Sequence, residues 1–222
     1  MQVDDAIRSR RTVKVFADPD MPPDVPEGLF MDVREAVEAA GWAPFHRPCS
    51  KGWRDETSGL TSPVPWRMHC LEHQSCRTLI ERLRSLSEDA EGGPLASVMD
   101  SKMPSMLAAA GAVVLVTWLP HPDRGAKGTD RTINEEHLMA AAAATQNLLL
   151  SLTAAGHRTY WSSGGALRET AVFEVLGINP AEEFVGAVFV WPPETRGEEA
   201  VPGKQRENRG EPSGWSRVVT LR

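Results

Sequence analysis

Long apolar runs are missing from this sequence. The longest candidate, Leu138 to Ala155, is broken by Thr145, Gln146, Asn147, Ser151 and Thr153. Nothing reaches the roughly 20 residues that a membrane span needs. The chain begins Met-Gln-Val-Asp-Asp, whose charge has the wrong sign for a secretory signal. Cysteine is scarce: only Cys49, Cys70 and Cys76, with no C-x-x-C pair. That disfavours a disulfide framework or a structural zinc site, and points to a reducing, cytoplasmic setting. Basic charge is in deficit, with 24 Lys and Arg against 30 Asp and Glu, a net −6. This argues against nonspecific binding of nucleic acid, which needs a basic footprint. Familiar signatures are missing as well. There is no G-x-S-x-G, no P-loop and no G-x-G-x-x-G, so a Rossmann or NTPase reading has no motif behind it.

What is present describes an ordinary globular chain. It has 222 residues, 41% hydrophobic and 24% charged. A chain of this mass buries roughly 70% of its unfolded surface, enough for a real core, and one domain is the default. Residues 3–10 read as a short helix with Asp4 and Asp5 in its first turn, where the helix dipole favours them. Strands are predicted at 12–16, 66–71, 112–118, 158–162, 184–191 and 215–221, the last reading WSRVVTL. Helices are predicted at 31–40, 75–89, 94–110 with an interruption near Pro104, 133–155 and 168–176. Residues 45–65 show little periodicity, and so long a loop is usually functional or mobile. The interleaving predicts an α+β or α/β sandwich with a sheet between helices.

Histidine offers little. His69 and His73 are four apart, but His69 falls in a predicted strand, where that spacing does not bring side chains together. Half-buried or surface histidines are the better reading, and no metal site is expected. Glu135, Glu136 and His137 open the long helix, where acidic residues favour its dipole.

Three segments stand out. Arg10-Arg11-Thr12-Val13-Lys14 leaves a helix and enters a strand, with Thr12 and Lys14 on one strand face. Guanidinium forks and a hydroxyl suit phosphate, although a solvated basic face is the simpler reading of this segment alone. Trp161-Ser162-Ser163-Gly164-Gly165 lies at a strand end, and its glycines permit close approach of a planar ligand. A simple turn explains it equally well. Lys204-Gln205-Arg206 sits in a polar tail, and its two cations share a side if that tail is extended.

Together these segments resemble the nitroreductase family of FMN-dependent NAD(P)H oxidoreductases. AIRSRRTVKVF resembles that family's helix-to-strand entry. Gln146-Asn147-Leu148-Leu149-Leu150 with Ala154-Ala155-Gly156 resembles its central helix. Trp161 to Gly165, VLGI at 175–178, VGAVFVW at 185–191 and the K-x-R of the tail follow in family order. The resemblance implies a three-layer α-β-α sandwich with a central mixed sheet, and a homodimer with exchanged C-terminal arms. Residues 1–192 would form the domain, and 193–222 an arm and strand reaching the partner subunit. It implies FMN held by Arg10, Arg11, Thr12, Lys204 and Arg206 on the phosphate and ribityl side. Lys14 would sit near N1 and O2 of the ring, and Ser163, Gly164 and Gly165 beside N5 and O4.

The chain departs from the family where a Ser and an Asn usually reach the flavin. Ala43-Pro44 is followed here by Phe45-His46, and Pro65-Trp66 closes the motif only about twenty residues later. Trp53 or a neighbour in that loop would shape the substrate pocket. The resemblance implies hydride transfer by a ping-pong scheme, from NADH or NADPH through flavin N5 to a small nitroaromatic or quinone. The alternative is a non-catalytic flavin- or ligand-binding protein on the same fold. No membrane or nucleic-acid partner is expected.

Overall fold

The computed structural model describes residues 1–49, 60–120, 129–194 and 199–220. In chain order the elements are α1 (Val3–Ser9), β1 (Val13–Phe16), α2 (Leu29–Ala40), β2 (Trp66–Glu72), α3 (His73–Glu88), α4 (Gly93–Ala96) and α5 (Met103–Ala109). They continue with β3 (Ala112–Trp118), α6 (Thr129–Ala154), β4 (Arg158–Ser162), α7 (Thr170–Leu176), β5 (Glu183–Trp191) and β6 (Glu199–Pro202). Short 3-10 turns cover Gly165–Arg168, Gln205–Arg209 and Pro212–Gly214.

The centre is a four-stranded sheet in the order β2-β3-β5-β4, with every neighbouring pair antiparallel. β3 and β5 are its middle strands, and their unbroken apolar runs follow from cover on both faces. Val113, Leu115, Ala187, Phe189 and Trp191 face a core built with Leu79 and Leu83 of α3, Leu107 of α5 and Phe173 of α7. The alternate residues Val114, Val116, Val188 and Val190 face Val33 and Ala36 of α2 and Leu148 and Leu152 of α6. That is the three-layer α+β arrangement the resemblance implies. Small residues let α6 lie close: Ala140, Ala141 and Ala144 pack against Trp66 and Trp118.

β1 pairs antiparallel with β6 in a separate ribbon, Lys14 opposite Val201 and Phe16 opposite Glu199. A parallel bridge between Thr12 and Thr159 joins this ribbon to β4 and makes the combined sheet mixed. The tail starts back along its own chain. Its segment 199–209 lies on the same chain's β1 and α1, not free of them. Residues 215–220, read from sequence as a strand, form none and are exposed, Val218 at 95%. An alternating apolar pattern makes a strand only beside another strand, and the strand expected here was one against a partner subunit. The helix expected over 94–110 is two short ones, since Pro104 sits in the first turn of α5 rather than inside a longer helix.

Both described ends of the 45–65 loop are anchored. Phe45 meets the Trp66 ring edge-on at 5.7 Å, and the Cys49 N–H donates to the Pro63 carbonyl at 2.8 Å. The buried Arg67 guanidinium donates to the carbonyls of Ser62, Val64 and Trp66. Trp53 lies outside the described residues.

One buried polar set ties the residue just before β5 to β2 and β3. The Glu182 side chain, which is fully buried, accepts from His69 Nε2 at 2.7 Å and from the Thr117 hydroxyl. Removing one partner of a buried polar set leaves the others unsatisfied. Glu182→Ala is therefore expected to cost about 2–3 kcal/mol, a fall of roughly 5–10 °C in Tm for a chain of this size. Glu182→Gln, which keeps an acceptor for Thr117, should cost less. Thermal melts of the two variants check this.

Candidate functional site

α1 ends at Ser9, and the chain turns through Arg10 and Arg11 into β1. The 3-10 turn Gln205–Arg209 folds back against that corner. Arg206 donates to the Arg10 carbonyl at 2.8 Å and also to the Arg8 carbonyl. Between the two lies a cleft of about 530 Å³, whose lining includes Arg10, Arg11, Thr12, Arg206, Arg209 and Trp215. Its closure is tight at Gly203, whose N–H donates to the Thr12 carbonyl at 2.7 Å. A Cβ at Gly203 would sit 2.9 Å from Thr12 Cβ.

The electrostatics are one-sided. Burial pulls the Arg10 guanidinium below its ordinary range, and the charges of Arg206 and Arg209 pull it further. Among the described residues no carboxylate forms an ion pair with Arg10, Arg206 or Arg209. An arginine stays charged at neutral pH whatever this cost. Clustered, partly desolvated guanidiniums without an acidic partner make a site for a multiply charged anion.

Lys14 lies two residues beyond Thr12 on the same strand face. Its Nζ stands over the Tyr160 ring, 4.7 Å from the centroid. Tyr160 follows Thr159, the bridge partner of Thr12, and β4 then runs out at Ser162 into Ser163-Gly164-Gly165. Lys14 thus stands between the arginine cleft and that turn. The turn is shaped from beneath. The Gly164 N–H donates to the Ser162 hydroxyl at 3.1 Å, and Gly164 holds φ at +94°, a region where other residues are strained. A Cβ at Gly164 would run into the Phe184 ring. Ser163 and Gly165 line a neighbouring cleft with Lys102.

The residues singled out from sequence therefore fall into two groups. Arg10, Arg11, Thr12 and Arg206 converge on one cleft. Ser163, Gly164 and Gly165 form a turn at the far end of the β1–β4 seam, with Lys14 between. Lys204 stands exposed outside the cleft lining. Arg209 was missed. The tail was read as extended, which pairs Lys204 with Arg206. In a 3-10 turn, residues three apart lie over one another, which pairs Arg206 with Arg209.

Cys70 and Cys76 are not activated thiols. Burial holds Cys76 at about 12, and the packing around Cys70 holds it at about 11. Neither is a thiolate at neutral pH.

The model of the nitroreductase family matches residues 62–190. No curated protein sequence gives a match. Solved structures match over most of the chain. A nitroreductase-like family protein from Bacillus cereus is 19% identical, with a TM-score of 0.66 over 99% of this chain and 96% of that one. The nitroreductase CinD from Lactococcus lactis, in complex with chloramphenicol, is 12% identical. Its TM-score is 0.63, over 99% of this chain and 100% of that one. A nitroreductase from Bacteroides fragilis with bound FMN is 18% identical, with a TM-score of 0.54 over 87% and 89%. At these identities the likeness is one of fold.

Proposed function

The chain belongs to the nitroreductase family, and on that premise we propose that it is an FMN-dependent oxidoreductase. The observation that carries this reading is the uncompensated guanidinium cluster. Arg10, Arg206 and Arg209 line one cleft, and among the described residues none of them forms an ion pair. A phosphate monoester supplies the charge and the acceptor oxygens that such a set requires. The donor set fits FMN: Arg10, Arg206 and Arg209 would hold the phosphate, with Arg11 and Thr12 beside it. Ser163 and Gly165 would flank the ring, and the Lys14 ammonium would lie along its edge.

Bound flavin would supply the hydride chemistry, accepting from NADH or NADPH and delivering to a small nitroaromatic or quinone in ping-pong order. The chain binds, orients and tunes. Phe184 fills the space beside Gly164, which leaves no room there for a side chain. The Ser162 hydroxyl takes up the Gly164 N–H and fixes the turn. Lys14 would hold a positive charge beside the ring and so favour its reduced, more negative form.

The assembly proposed is a homodimer in a cytoplasmic setting. Val3 and Ile7 of α1, Leu138 and Met139 of α6, and Trp215, Val218 and Val219 of the tail are exposed apolar side chains. A second copy would cover them, and residues 193–222 would contribute its arm.

Lys14→Met tests the tuning. It keeps most of the stem volume and removes the charge. A charge-assisted contact is worth about 1.5–3 kcal/mol, which for a two-electron couple is roughly 30–65 mV. The midpoint potential of the loaded protein is expected to fall by that amount, with a smaller change in FMN affinity. Spectroelectrochemical titration reads it, and a shift under about 10 mV would leave Lys14 a strand residue without that role.

A further inference from the structure

β5 carries a bulge near its start. Val116 of β3 lies opposite Gly186, but the next residue, Thr117, lies opposite Phe184, so Val185 is the extra residue. One extra residue turns those beyond it over to the other face of the sheet. Val188 and Val190 face α2 and α6. In an unbroken strand Phe184 would share their face. It packs instead against the cluster of Ala187, Phe189 and Phe173 of α7, its ring 6.3 Å from that of Phe173. On that side it fills the space beside Gly164, where an added Cβ would meet Cε1 and Cζ of the ring. The Ser163–Gly165 turn thus has one ring against it, and the bulge decides on which face that ring lies.

Glu182 stands at the entry to this bulge, two residues before Phe184. Its side chain is fully buried, and its Oε1 has no hydrogen-bond partner among the described residues. Both of its bonds end on Oε2. One comes from His69 of β2 at 2.7 Å, the other from Thr117 of β3, the residue opposite Phe184. A buried carboxylate is a costly way to join strands, and apolar packing of similar volume often does as well or better. What the polar set adds is direction. A hydrogen bond weakens steeply off line, so two bonds from two strands fix where the chain enters β5.

We propose that Glu182 is a positioning residue for the turn beside the flavin, acting through Phe184. The inference rests on the flavin reading of that turn, and its first half can be read without flavin. With Glu182 bonded to His69 and Thr117, Phe184 stays beside Gly164 and the N–H groups of the turn keep one direction. Donors held that way toward the ring would favour its reduced, more negative form. With the set broken, the bulge relaxes, and a slip of one residue carries Phe184 toward the α2 and α6 face.

Glu182→Gln keeps the volume and an oxygen acceptor but removes the carboxylate, and Phe184→Leu removes the ring. In flavin-free protein the Gly164 amide should carry the ring-current shift of Phe184 in NMR spectra. Glu182→Gln should reduce that shift and speed exchange of the Gly164 N–H about tenfold, the factor of one hydrogen bond. In flavin-loaded protein both variants should alter the visible circular dichroism of the flavin. Both should lower the equilibrium constant for reduction about tenfold, roughly 30 mV for a two-electron couple. The two effects should not add, so Glu182→Gln should do nothing further in the Phe184→Leu background. Thr117→Val removes one of the two bonds at constant shape and reads the same set should Glu182→Gln fail to fold. Asp32→Asn is the control. It breaks a carboxylate–histidine pair between α2 and His157, also 2.7 Å long, and should move neither the Gly164 amide nor the potential. A Gly164 amide unchanged in Glu182→Gln and Thr117→Val overturns the proposal, and so do additive effects of Glu182→Gln and Phe184→Leu. Protein that takes up no FMN overturns the flavin reading and the proposal with it, and the flavin-free spectra tell that failure from a Glu182 that does not act on the turn.

Discussion

Protein lacking residues 193–222 is expected to fold and to retain no FMN at micromolar concentration. The core does not depend on that segment. The buried residues of both main clusters lie between Val15 and Trp191, and β6 is exposed along its whole length. The cleft does depend on it, because Arg206, Arg209 and Trp215 all come from the tail. Losing two charge-assisted contacts costs about 3–6 kcal/mol, or roughly 10²- to 10⁴-fold in affinity. Removal of the tail also takes away Val218 and Val219, so the truncated chain should run as a monomer in light scattering. A truncated protein that stays dimeric and yellow would contradict both roles of the tail.

Arg10→Ala should separate FMN from riboflavin. The phosphate is the proposed partner of Arg10, so FMN should bind about 10- to 150-fold more weakly while riboflavin affinity holds. The apo protein should respond in the opposite sense. The folded-state pKa of Arg10 is depressed by burial and by Arg206 and Arg209. At neutral pH, below both its folded and unfolded values, the group is charged in both states. The depression is then a cost to the folded state, present in full there and lost as pH rises from the folded value to the unfolded one. Removing the guanidinium should leave apo Tm unchanged or raised, and should shrink the Tm gain on adding FMN. Equal losses for FMN and riboflavin would mean that Arg10 supports the fold rather than the phosphate.

Much of the fold was legible because its signals are strong. β3 and β5 are apolar but for Thr117 and Glu183, so burial of most of each strand on both faces could be read from composition alone. The arginine corner was legible because Arg10, Arg11 and Thr12 are adjacent. What could not be read depends on long-range or purely backbone pairing. β6 has the sequence EAVP, exposed at every residue, and is a strand only because β1 lies beside it. Residues 215–220 have the better strand pattern but no neighbour in the chain to pair with. His69 was expected to be half-buried or on the surface and is half-buried, yet its partner Glu182 lies 113 positions away.

The central claim is that this chain holds FMN and passes hydride through it. The most direct measurement is the absorbance spectrum of the purified protein, followed without oxygen as NADH or NADPH is added. The account predicts flavin bands that survive gel filtration, FMN equimolar with the chain after denaturation, and bleaching of the bands by the nicotinamide donor. Colourless protein that takes up no added FMN would contradict it.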